Sequence, residues 1–169
     1  MNLNWQDGLS ATAMAALFAS ATGCTFLAPG LSPPGTSIDQ IRGSGRIPTG
    51  EYELPGGGRR LEFAQGSFGR ETYMMDFDAS GKLVMSEQVL DGRHFDNILP
   101  GMPSQDVRMR LGRPAQVFTV GWQKLQVWNY RYVGGDCVWF QVSISQRDGR
   151  VTETGTGYDP ACDGPKTRE

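Results

Sequence analysis

The chain has 169 residues, enough for one compact domain or two small ones. Glycine (23) and proline (10) make up about a fifth of it, which excludes a helical bundle or coiled coil because both residues break helices. Sixteen Lys and Arg against eighteen Asp and Glu leave a net charge of −2, without the basic footprint of a nucleic-acid binder or the like-charge run of a polybasic membrane patch.

The uncharged stretch Leu9–Gly23 has the length of the apolar region of an export signal and is too short to span a bilayer. It ends at Ala21-Thr22-Gly23-Cys24, which resembles a bacterial lipobox, so residues 1–23 are expected to be a lipoprotein-type signal peptide and Cys24 the acylated residue. The n-region Met1–Gly8 is atypical in lacking Lys and Arg. Soluble export and an uncleaved apolar helix are the alternatives. Setting Cys24 aside for lipid leaves Cys137 and Cys162, a pair that an oxidising compartment would join. Two buried free thiols are the other option.

An internal repeat organises the rest. Pro34-Gly35-Thr36-Ser37-Ile38-Asp39-Gln40-Ile41 returns as Pro100-Gly101-Met102-Pro103-Ser104-Gln105-Asp106-Val107. In the same order Gly45-Arg46-Ile47-Pro48 matches Gly112-Arg113-Pro114, and Leu61-Glu62-Phe63 matches Trp128-Asn129-Tyr130. The turn Ser80-Gly81-Lys82-Leu83 matches Asp148-Gly149-Arg150-Val151. The expected organisation is a linker over 24–33, a degenerate first unit over 34–90, a second unit over 91–162 and a tail over 163–169.

In each unit a Pro-Gly turn leads into a short helix, Ser37–Arg42 in the first and Ser104–Leu111 in the second. Ser37 and Gln40 have capping-box spacing, whereas Pro103 takes the place of Ser37 in the second unit. Three strands are expected after each helix. Leu61 and Phe63, then Tyr73, Met75 and Phe77, alternate with polar residues in the first unit; Trp128, Tyr130 and Tyr132, then Val138, Phe140, Val142 and Ile144, do so in the second. A further helix is expected over Asp91–Leu99, with Phe95 and Ile98 inward. The fold class is α+β: two tandem units, each with one or two short helices on a three-stranded antiparallel sheet.

Two patterns suggest chemistry. Asp76-Phe77-Asp78-Ala79-Ser80-Gly81 with Glu87 spaces oxygen ligands like a calcium loop. A strand precedes it, and the second unit has a plain turn, Ser145–Gly149, in the same place. Solitary His94, with no evident partners, reads as a surface histidine. Nothing reads as an active site, metal centre or cofactor site, and the chain is expected not to be an enzyme.

The order Ile98-Leu99-Pro100-Gly101-Met102, helix, Leu111-Gly112-Arg113-Pro114, then Val127-Trp128-Asn129-Tyr130-Arg131-Tyr132 resembles the SmpA/OmlA family, the small BamE-like lipoproteins of the outer-membrane β-barrel assembly machine. The closing Asp148-Gly149-Arg150-Val151 and Tyr158-Asp159-Pro160-Ala161-Cys162 are similar to tandem-repeat members. The resemblance implies a lipid-anchored scaffold on the periplasmic face of the outer membrane, with assembly-machine subunits as partners. It implies no cofactor, nucleic acid or small-molecule substrate, and only the lipidated cysteine carries over, to Cys24. Tandem units of this kind also resemble the β-lactamase inhibitor proteins. That likeness implies the alternative of a soluble periplasmic binder or inhibitor of an enzyme. The candidate partner surface for that alternative is the helix-free sheet face with Arg60, Glu62, Asn129, Arg131 and Trp139, unless the tail held by Cys162 covers Trp139.

Overall fold

The computed structural model describes residues 30–65 and 69–162; Cys24, the signal segment 1–23 and the tail 163–169 lie outside the described residues. In chain order the elements are α1 (Ile38–Gly43), β1 (Gly50–Glu53), β2 (Arg59–Gln65), β3 (Glu71–Phe77), β4 (Leu83–Gln88), α2 (Gly92–Phe95), α3 (Ser104–Leu111), β5 (Gln116–Val120), β6 (Leu125–Tyr130), β7 (Val138–Ser145) and β8 (Val151–Tyr158). They form two antiparallel sheets with strand orders β1-β2-β3-β4 and β5-β6-β7-β8.

Each sheet has four strands rather than the three expected. The additional strands, β1 and β5, lie at sheet edges beside β2 and β6. With one neighbour each they need no continuous apolar face, and Gly50-Glu51-Tyr52-Glu53 carries little strand signal. The expected second helix shrinks to the single turn of α2. Asp91 caps it through its side chain, and Asn97 Nδ2 turns back to donate to Arg93 O.

The repeat is visible in the backbone. Gly35 N–H donates to Leu83 O at 2.8 Å and Leu83 N–H to Thr36 O at 2.8 Å. Gly101 N–H donates to Val151 O at 2.7 Å and Val151 N–H to Met102 O at 2.8 Å. Gly35 and Gly101 both adopt φ +86, a left-handed conformation that glycine takes without steric cost. This turn stitches the segment before each helix to the start of the last strand of its sheet. At α1, Ser37 accepts from Gln40 N–H while the Gln40 side chain accepts from Ser37 N–H, completing the capping box; Pro103 gives α3 no side-chain cap.

Helix α1 packs Ile41 on one face of the first sheet, against Leu61, Phe63, Met75, Phe77 and Leu83. The larger core joins the two units. Val107 and Leu111 of α3, with Phe95 and Ile98, meet Trp128, Tyr130, Phe140, Val142, Ile144 and Val151 of the second sheet, and also Met74 of the first. Helix α3 therefore lies between the sheets, and the face of the first sheet that looked free of helices is covered by the second unit. Phe95 stacks on Phe140 with ring centroids 4.1 Å apart and meets Tyr132 edge-on at 5.2 Å. Each such side chain contributes about 1.5–3 kcal/mol relative to exposure.

Candidate functional site

Of the five residues expected to form an open partner surface, the structure buries Glu62, Asn129 and Trp139 and leaves Arg60 and Arg131 partly exposed, in two separate groups. Arg60 on β2 faces Asp76 on β3 in direct register. Its Nε and Nη2 donate to the Asp76 oxygens at 2.6 and 2.7 Å, and its Nη1 donates to Met109 O of α3 at 2.7 Å. Two residues along β2, fully buried Glu62 accepts from Tyr52 Oη at 2.7 Å, Thr49 Oγ1 at 2.8 Å and the Arg113 N–H at 3.1 Å. Burial, followed by the Glu62 bond, pushes the Tyr52 phenol well above its usual range.

Gly112, which ends α3, sits against this carboxylate: a Cβ there would be 2.8 Å from Glu62 Cδ. Arg60 and Glu62 thus join the two units, Arg60 by bonding the last turn of α3 and Glu62 by bonding Arg113 just past its end. The expectation of a free face fails here because α3 must bury a second side, and the first sheet supplies it.

Asn129, Arg131 and Trp139 form the other group, on the far face of the second sheet. Asn129, also fully buried, accepts from Gln141 Nε2 at 2.8 Å. Arg131 donates to Asp159 at 2.6 and 3.1 Å and lays its guanidinium 4.5 Å from the Trp139 ring centre. Trp139 is 1% exposed. Cys137 and Cys162 are disulfide-bonded, with Cα atoms 5.6 Å apart, and hold the segment after β8 in place.

The calcium-like segment is used otherwise. Asp76 is engaged by Arg60, and Asp78 accepts from the N–H groups of Ser80 and Lys82 and from the Ser80 hydroxyl, at 2.9, 3.0 and 2.7 Å. Among the described residues no three His, Cys, Asp or Glu side chains are grouped to hold a metal.

His94 is half-buried rather than a plain surface residue. Its Nδ1 lies 2.7 Å from Asp91 Oδ1 and its Nε2 3.3 Å from Glu87 Oε2, so the ring bridges β4 of the first unit to the start of α2. Burial opposes charge on Asp91, yet hydrogen bonds from the His94 ring, Arg93 and the His94 N–H outweigh it and hold the carboxyl at about 2. These residues border a cleft of about 470 Å³ between the units, lined by Arg60, Glu87, His94, Asn97, Asp106 and Arg110. Its lining carries both signs of charge, and no Ser, Thr, Cys or Lys is among its described lining residues.

The open apolar surface lies elsewhere. On edge strand β5, Val117 and Phe118 are 43% and 42% exposed, and Trp122 at the tip of the β5–β6 hairpin is 84% exposed. The sequence signal for this patch was a tryptophan between turn residues Gly121 and Gln123-Lys124, where burial is not expected. Among the described residues no helix is long and apolar enough to cross a membrane.

No protein-family model matches the chain, and neither a curated protein nor a solved structure matches it.

Proposed function

We propose that this chain is a lipid-anchored scaffolding protein that acts by protein–protein contact on the periplasmic face of the outer membrane, like the small lipoproteins of the β-barrel assembly machine. It consists of two BamE-like units and is tethered through Cys24. The observation that carries the binding role is the β5–β6 hairpin. An edge strand has backbone groups free to pair with another chain. Val117, Phe118 and Trp122 add apolar anchors of the type that dominates interfaces. The residues first expected to bind a partner instead fix the hairpin's sheet against the first unit and the segment Asp159–Cys162, which keeps the anchors in one orientation.

Crosslinking and pull-down from native membranes tests this reading, with Trp122→Ala as the comparison. Recovery of outer-membrane assembly subunits by the native chain, and their loss with Trp122→Ala, is the expected result. Recovery of no such subunit, or of a soluble enzyme in stoichiometric amount, overturns it. Mass spectrometry of the membrane-bound protein checks the anchor: a diacylglyceryl group on Cys24 is expected, and an intact Met1 contradicts it.

A further inference from the structure

We propose that the segment Asp159–Cys162 is a redox-controlled strap. While the Cys137–Cys162 disulfide is intact it holds Arg131 over Trp139, and reduction releases it. Three independent contacts converge on this short segment. Asp159 N–H donates to Cys137 O at 2.8 Å, which sets the strap against the loop before β7. The Asp159 carboxylate takes both Arg131 bonds and the Ala161 N–H at 3.0 Å. The disulfide closes the far end.

The covered side chains are costly to leave exposed. Trp139 is a large aromatic on a strand whose neighbouring backbone, at Gly157, carries no side chain to shelter it. Arg131 lies over its ring and shares the cover with Phe118, whose ring centre is 6.4 Å away, and the position of Arg131 depends on Asp159. The carboxyl of Asp159 is held below its ordinary value, first by the Arg131 hydrogen bonds and against the effect of burial.

The disulfide sits where reduction is accessible. Both cysteines are partly exposed. Cys137 also occupies φ +59, a left-handed conformation unfavourable for a residue with a side chain. Partly exposed disulfides on strained backbone are the reducible ones. The strap is peripheral: the residues of both cores belong to other segments, so its release leaves the sheets paired.

The chemistry is thiol–disulfide exchange with a dithiol reductant. One thiolate of the reductant attacks a sulfur of the Cys137–Cys162 bond and breaks it, forming a mixed disulfide. The second thiol then displaces the protein sulfur. Two electrons and two protons pass to the protein, leaving two cysteine thiols and an oxidised, internally bonded reductant.

The test follows the indole N–H signals of the full chain by heteronuclear NMR, with and without dithiothreitol. Trp139→Phe, Trp122→Phe and Trp5→Phe assign three of the four signals and leave the fourth to Trp128. On reduction, the solvent exchange of the Trp139 indole should rise by about tenfold or more, the scale set by loss of one charge-assisted pair. The Trp128 signal, inside the core, should stay in place. Cys162→Ser should reproduce the change without reductant, Asp159→Asn should produce part of it in the oxidised protein, and reoxidation should reverse it. A Trp139 signal indifferent to reduction overturns the proposal. So does simultaneous loss of the Trp128 signal, which would make the disulfide a staple of the whole fold.

Discussion

Arg60 and Glu62 show how one parity of a strand can hold two units together. The Arg60–Asp76 pair is largely buried and fully hydrogen-bonded, so removing one partner leaves an uncompensated charge. Arg60→Ala should lower the unfolding free energy by about 3–5 kcal/mol in chemical denaturation. Arg42→Ala removes a solvent-exposed bridge to Glu51 and should change stability by about 1 kcal/mol or less. Asp91 adds a pH dependence of definite sign. Its carboxyl is lowered from 3.8 to about 2 in the folded protein, so it contributes stability that is complete above the unfolded value and is lost as pH falls through the folded one. Urea midpoints should therefore fall between about pH 4 and 2 more steeply for the native chain than for Asp91→Asn, which keeps a good cap. Parallel curves would remove the assignment. The surface reading of His94 misses two carboxylates: Asp91, three residues before it at the helix cap, was a local clue, whereas Glu87 reaches it from β4, a proximity no local pattern encodes.

Among the elements, α3 ties together the most of the molecule, packing on the second sheet and meeting Met74 and Arg60 of the first. It has no side-chain cap at its start, and it ends at Gly112, where φ +79 and ψ −162 are accessible only to glycine at low cost. A methyl at that position would also collide with the Glu62 carboxylate. Gly112→Ala should destabilise the protein by about 2 kcal/mol or more, combining backbone strain with a disturbed buried carboxylate. Thermal melting would register this as a lower midpoint with unchanged far-ultraviolet circular dichroism at low temperature. The capping box of α1 was legible in Ser37 and Gln40, and α3 was legible to the residue. Strands β1 and β5 were not, since an edge strand of mixed polarity has no periodicity to detect.

At the scale of the whole molecule, the shared core makes the two repeats one folding unit. Met74 from the first sheet packs with Val107 and Leu111 from the second unit, Arg60 bonds the last turn of α3, and Glu62 bonds Arg113 just beyond it. Calorimetry should therefore give a single transition with equal calorimetric and van't Hoff enthalpies; two separated transitions would contradict the shared core. By itself the sequence determined the α+β class, the twofold repetition with its Pro-Gly turns, and the cysteine pair, because turn chemistry and strand alternation are local properties. It could not show which sheet faces are covered. The clue was present in Tyr73-Met74-Met75, where apolar residues of both parities mark a strand buried on two sides. Only the tertiary structure decided that α3 fills that second side. It also moved Arg60 and Glu62 into the junction, because burying a helix on two faces takes up surface that strand periodicity alone leaves unassigned, and set Arg131 against Asp159.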